Sequence, residues 1–337
     1  LSIRRQRQMC IRDSTKIATG AALGILVLGA LLALKRAPRF GDDVRFRTTA
    51  LQAEESAKKF LSQLSFDVTN YRHAVQPLNR VNSLASQYIY NAAGIEGLSS
   101  MYGSQIQPVV WQVRYYRPLQ KEEYRVNVEP GGGQVVGFRH SLPEDAPGVD
   151  LPVPKAQEIS ASFLRGRGYN LSQFDLKETR SEKPRQRRDS EFVWEARPGS
   201  PGAIGESRLR LEGGVLGNKV GLWSQHVKTP EDWRRNRERQ SLYNIAAMGI
   251  RTVFFIAVSC LVIMSLIRGT RQGLVRWKLA TKIALGAVLL ELINGINSYP
   301  KLMFQYDTQM EMRVFMLSAL VGGVLLLVAS RRRQFPG

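Results

Sequence analysis

Four apolar blocks limit what this sequence can fold into more than any other feature. Residues 17–34 hold no charged side chain, and similar runs occupy 252–267, 279–296 and 314–330, the third interrupted only by Lys282 and Glu291. A helix of about 20 apolar residues crosses the hydrocarbon of a bilayer. The chain therefore reads as a multi-pass membrane protein whose partner is the lipid bilayer. It has an anchor over 15–35, spans over 246–267, 279–296 and 314–330, and a long extramembrane region, 36–245, in between. A removable signal peptide would have an apolar core of about 7–15 residues and a small-residue cleavage site. Here Lys35 and Arg36 follow directly, which favours an uncleaved anchor. Residues 1–14 are Arg-rich and patternless, so we read them as a non-native leader and discount Cys10 with them. Arg331, Arg332 and Arg333 close the last block just before Gly337, and we read the chain as a fragment.

Charge sets a direction. There are 48 Lys and Arg against 28 Asp and Glu, a formal net charge of +20. Such an excess suits nucleic acid or an anionic membrane surface. The stretch Arg180, Lys183, Arg185, Arg187 and Arg188 is broken by Glu182, Pro184 and Asp189, so we expect a solvated loop and no nucleic-acid partner. Short loops rich in Lys and Arg stay in the cytoplasm. Arg268, Arg271, Arg276 and Lys278 lie between spans two and three, whereas Lys301 and Arg313 are balanced by Asp307 and Glu311 between spans three and four. Both termini are then cytoplasmic, and 36–245 lies outside.

That outer region contains an internal repeat. Phe60-Leu61, followed by Ser65-Phe66-Asp67, is echoed by Phe163-Leu164 and Gly168-Tyr169-Asn170. Each pair ends a helix-like stretch, 50–64 and 155–165, with apolar residues at three- and four-residue steps. Each is followed by a Trp-containing strand, at Trp111 and Trp194, and by two alternating runs. Gly131-Gly132-Gly133 and Gly213-Gly214 are placed at hairpins between those runs. The prediction is an α+β ectodomain of two α-β-β-β units with antiparallel sheets, 40–148 and 150–240, plus an α-helical transmembrane bundle. Cys260 lies in a span, so the region has no disulfide framework and rests on its own core.

A search for chemistry returns little. The three His, His73, His140 and His226, have no metal-ligand spacing, and His140 reads as a surface strand end. Glu54-Glu55 and Glu122-Glu123 read as solvated pairs, and the glycine run lacks the helix and Lys of a phosphate loop. We assign no catalytic, cofactor-binding or metal-binding residue. Arg234, Arg235, Arg237 and Arg239 are either headgroup contacts or ordinary juxtamembrane charge. In the third span Glu291 shares a helical face with Asn294 and Ser298, a polar stripe that is costly in hydrocarbon. It serves either a structural hydrogen bond or a substrate-facing site. In the fourth, Ser318, Ala319, Gly322 and Gly323 form a small-residue helix-packing stripe.

The tandem units resemble the PepSY-type modules found outside bacterial membranes, which bind peptides or mask enzymes. More widely, the runs Arg117-Pro118-Leu119-Gln120-Lys121-Glu122-Glu123-Tyr124 and Gly137-Phe138-Arg139-His140-Ser141-Leu142-Pro143, with Phe192-Val193-Trp194-Glu195, carry a further likeness. They are similar to the extramembrane extension of one subgroup of the CAAX-protease and bacteriocin-processing (CPBP, or Abi) intramembrane endopeptidases. The resemblance implies a bacterial inner-membrane protein that acts on peptide or membrane-protein substrates. It also implies a later helical core with a Glu-Glu-x-x-x-Arg motif, membrane His residues and a divalent metal such as zinc. None of these is matched here, since Arg125 follows Glu122-Glu123 at the wrong spacing. On this reading the chain contributes a sensing or substrate-handling ectodomain and the first helices of a protease. The other reading is a non-enzymatic, membrane-anchored protein that binds peptide or envelope material.

Overall fold

The computed structural model describes residues 44–239, 242–273 and 277–319, together with Gly24. The first anchor, most of the fourth span and Gly322 lie outside them. The described chain begins with α1 (Ala50–Gln63), β1 (Arg72–Asn79), α2 (Ser83–Ser99), β2 (Val109–Tyr116), β3 (Glu123–Val128) and β4 (Val135–Ser141). There follow α3 (Val153–Gly166), β5 (Phe174–Glu182), β6 (Asp189–Ala196), β7 (Ala203–Ile204), β8 (Ser207–Leu216) and β9 (Lys219–Lys228). The chain leaves the sheet through α4 (Glu231–Glu238), α5 (Leu242–Arg271), α6 (Trp277–Asn297) and the short α7 (Tyr299–Phe304).

The two units merge into one antiparallel sheet in the order β1-β2-β3-β4-β9-β8-β6-β5, with β7 attached to β8. The seam is β4 against β9, where Phe138 faces Trp223 across the strands. Helices α1 and α3 cover one face. Thr49 opens α1 with a capping box to Gln52, and Ala53, Ala57, Phe60 and Leu61 form its buried stripe. In α3 the stripe is Ala156, Ser160, Ala161 and Leu164. Phe60 meets Phe138 at 5.5 Å and Phe163 meets Trp223 at 5.8 Å, both edge-on, so the helices share a face of the sheet. Arg167 lies over the Phe60, Phe163 and Trp223 rings and ties the two units together.

Both helices end alike. Ser65 and Gly168 take left-handed backbone, φ 59° and 89°, and the next amide reaches back to Leu61 O and Leu164 O respectively. This is the Schellman closure, built once on glycine and once, at a conformational cost, on serine.

The fold departs from the sequence-based prediction in three ways. Each unit has four main strands, because β1 and β5 are added at the two sheet edges. Edge strands need no hydrophobic alternation: β5 is mostly exposed and charged, and β1 carries Pro77. Helix α2, absent from the prediction, is inserted between β1 and β2 and bends at Ala93-Gly94. Gly213-Gly214 lie inside β8, not at a hairpin; a Cβ on Gly213 would collide with Ser160 Oγ and come within 3.1 Å of Trp194, so the glycine lets α3 lie close. The turn is at Gly217-Asn218, with Gly217 at φ 63°.

The opposite face is polar. Directly paired residues share a face, so Arg114, Arg125 and Arg139 form one cross-strand row, Gln76, Gln112 and Asn127 a second, and Glu195, Arg210 and His226 a third. Among the described residues two helices are long and apolar enough to cross a membrane, Ile245–Arg271 and Trp277–Asn297, and neither is buried within the chain.

Candidate ligand groove and clamp

The polar face is not open along its whole length. The segment after α6 returns to it and docks on β1 and β2. Met303, Phe304 and Tyr306 form a buried cluster with Ala74 and Tyr116, flanked by Leu302, Met312 and Phe315. The Tyr306 ring lies 5.4 Å from Tyr116 and 5.1 Å, edge-on, from Phe315. Tyr306 also donates its hydroxyl to the Met310 carbonyl.

Arg114 is the centre of this contact. It is only 5% exposed, although it is the one charged residue of its strand. Its Nη1 donates to both the Phe304 and the Tyr306 carbonyls at 2.7 Å. Its Nε and Nη2 hold Glu123 at 2.8 and 2.6 Å. Glu123 also receives Arg125 at 2.8 Å. All three nitrogens of a buried guanidinium are thereby engaged, which is the condition for leaving such a charge in an interface.

Beside the docked segment the sheet leaves a cavity of about 540 Å³, bounded by Gln76, Lys121, Arg125 and the chain from Phe304 to Gln309. Arg125 Nε is buried there without a hydrogen-bond partner among the described residues. Asp307 contributes a carboxylate, and its Oδ1 accepts the Gln309 amide at 2.9 Å.

A second cavity, about 320 Å³, lies on the helix face by the seam. His140 lines it and is not a surface residue as predicted: it is 8% exposed, stacked at 4.2 Å on Tyr124 and edge-on to Phe66 at 4.9 Å. The pleat explains this, since 138 and 140 point to the same side and Phe138 is core. Glu122 is likewise not a solvated residue. It accepts Tyr71 Oη at 2.7 Å, Tyr124 Oη at 2.9 Å and His140 Nε2 at 2.9 Å. An ionised carboxylate only accepts, so His140 carries its proton on Nε2. Burial pushes the Glu122 carboxyl up, but its three hydrogen bonds overcome this and hold it below the ordinary range. Burial pushes the His140 imidazole down, and Glu122 offsets only part of that. Burial and Glu122 push the Tyr71 hydroxyl up to about 12, so it is a donor at neutral pH. The cluster is a hydrogen-bonded hub that locks the α1–β1 connection, at Tyr71, to the β3–β4 hairpin.

The other sequence candidates scatter. His73 meets Glu54 at 3.3 Å and His226 meets Glu212 at 3.4 Å, on opposite faces. Arg187, expected in a solvated loop, is 3% exposed; it pairs with Asp189 at 2.7 Å and donates to the Ala146 carbonyl at 2.8 Å. Glu291, Asn294 and Ser298 are exposed on and just beyond α6, away from both cavities. Ser318 donates to the Phe315 carbonyl at 2.7 Å. Among the described residues no group of three or more His, Cys, Asp or Glu is placed to hold a metal ion.

No family model matches the sequence, and no curated protein matches it. Among solved structures, the Bacillus megaterium YpeB C-terminal domain is similar at TM-score 0.30 and 10% identity, over 58% of this chain and 68% of that one. Likeness at that level fixes neither family nor function, so the endopeptidase resemblance rests on the sequence runs alone.

Proposed function

We propose that this chain is the ligand- or substrate-handling part of a multi-pass membrane protein, with its sheet domain outside the cytoplasm and clamped to the membrane helices. The observation that carries the reading is the grip of Arg114 on the Phe304 and Tyr306 carbonyls. It supports a topology independently of loop charge. The chain leaves the sheet through α4, and two apolar helices later it is back on the sheet. Two crossings return a chain to the side from which it started, which leaves the α5–α6 turn at Gln272-Gly273 on the far side. A ligand that moves the sheet would then pull on the segment between two membrane helices. On the endopeptidase resemblance those helices belong to the proteolytic bundle, and the sheet domain presents or senses its peptide substrate.

The test is cysteine labelling from outside intact cells, in a Cys10→Ser, Cys260→Ser background. Ser100→Cys and Gln309→Cys are expected to react with a membrane-impermeant maleimide, and Gln272→Cys only after lysis. Labelling of Gln272→Cys in intact cells, or protection of Gln309→Cys alongside a reactive Ser100→Cys, would sink the two-crossing topology.

A further inference from the structure

We infer that the groove beside the clamp is a binding site for the phosphodiester headgroup of an anionic phospholipid; this rests on the membrane reading above. Three observations lead to it. The first is charge. Lys121 and Arg125 border the cavity, Arg139 extends the same cross-strand row, and Arg72 stands opposite Tyr116 at the edge. Lys121, Arg139 and Arg72 have no ion-pair partner among the described residues. Glu123 is already neutralised twice, by Arg114 and Arg125, which leaves Asp307 as the opposing carboxylate of the groove. The surplus is cationic.

The second is an unmet hydrogen bond. Arg125 gives Nη2 to Glu123 and keeps its Nε buried with no acceptor. That Nε lies on the same edge as the engaged Nη2, and a guanidinium N–H left unmet beside a carboxylate contact accepts a further oxyanion oxygen. Gln76, Gln305, Thr308 and Gln309 add neutral donors around the same cavity, as the esterified oxygens and hydroxyls of a headgroup require.

The third is place. The wall from Phe304 to Gln309 belongs to the connection between α6, an apolar spanning helix, and the helix that starts at Met312. A wall tethered at both ends to membrane helices lies at the headgroup level. A soluble anion would need no such position; a lipid does. Basic residues at that level attract anionic lipid, each with a modest and salt-dependent gain.

The experiment uses the full chain in nanodiscs of phosphatidylcholine, alone or with phosphatidylglycerol, with lipid retention read by native mass spectrometry and affinity by titration of phosphatidylglycerol. The probes are Lys121→Gln and Arg139→Gln, which leave the Arg114–Glu123–Arg125 clamp intact. Each is expected to weaken phosphatidylglycerol binding about fivefold, the change that corresponds to about 1 kcal/mol per basic residue, with the effect shrinking in high salt. Arg234→Gln with Arg235→Gln serves as a juxtamembrane control and should leave the retained lipid in place. Unchanged affinity in both groove variants would overturn the site, as would loss of the retained lipid in the control alone. Equal competition by inorganic phosphate would make it a soluble-anion site and overturn the lipid assignment, and preferential binding of an acidic peptide would do the same. Failure of the chain to insert into either nanodisc would instead refute the membrane reading, which is scored separately.

Discussion

Replacing Arg114 by Met keeps an unbranched apolar stem at the position and removes the guanidinium, with its ion pair, its two carbonyl contacts and its place 4.8 Å over the Tyr116 ring. The guanidinium is 6% exposed at its side chain and Glu123 is 12% exposed, which puts the pair well inside the interface. Removing one partner of a buried ion pair costs about 3–5 kcal/mol, chiefly because the other is left uncompensated. Here Glu123 retains Arg125 at 2.8 Å, so the low end applies, about 3 kcal/mol. Two carbonyls, of Phe304 and Tyr306, also lose their donor, but they can turn to water once the segment lifts. The loss should therefore fall on docking and not on the sheet. Three amides report it: Gln305 and Tyr306, which donate to Lys301 and Met303, and Met310, which donates to Asp307. If docking protects them, a loss of about 3 kcal/mol speeds their hydrogen exchange on the order of 100-fold. Exchange in β2 and β3 should change far less. Exchange mass spectrometry on the full chain in nanodiscs resolves the two regions. Unchanged rates over 302–311 would refute the clamp, and equal acceleration across the whole sheet would reduce Arg114 to a generic stabiliser. Glu123→Gln in the Arg114→Met background should add only the small cost of its remaining pair with the exposed Arg125, since the Arg114 pair is already broken.

Two further outcomes follow from the helix ends and the seam. Ser65→Gly should raise stability by about 1 kcal/mol, because φ 59° suits glycine and strains serine, and Gly168→Ser should lower it by a similar amount; a thermal melt in which both changes are neutral would contradict the Schellman reading. His140 should make the protein acid-sensitive. Its folded pKa is depressed by burial, so below the unfolded value near 6.5 the unfolded chain binds more protons and stability falls with pH. Glu122 and Tyr124 face it from the same hairpin, Lys219 from β9 and Arg187 from the β5–β6 loop, and the two cations oppose its charging. Glu122, depressed from 4.5, adds a second loss at lower pH. A His140→Asn variant whose stability falls as steeply as the parent's between pH 7 and 5 would rule this out.

The parts of the sheet domain legible in the sequence are those whose residues face a core on one side only. The stripe of α1 and the alternation of β3, buried at Tyr124, Val126 and Val128, follow from periods of 3.6 and 2. The edge strands were not legible, because β5 has a partner on one side and little buried surface, and so carries no period to read. The merging of two sheets at β4 and β9 was hidden for another reason. It is closed by few pairs, Phe138 with Trp223 and Arg139 with Leu222, and neither strand announces which neighbour it will take.

The site was nearly legible, and the missed signals share a cause. His140 lies two residues from Phe138, and Glu122 and Glu123 are adjacent, so in a pleated chain they must point to opposite faces. One entered the His140 hub and the other met Arg114. Reading Glu122-Glu123 as a single solvated pair ignored that alternation. Arg114 was the stronger signal. It is the one charge in the strand Val109–Tyr116, and a charge among apolar neighbours is retained only when something pairs with it. Its carboxylate partner was on the next strand, but its carbonyl partners came from almost two hundred residues later in the chain, in a connection whose balanced charges drew attention away from Met303, Phe304 and Tyr306. Three large apolar residues in a short link that follows an apolar helix need a surface to cover them. The aromatic strand with a lone arginine supplies it.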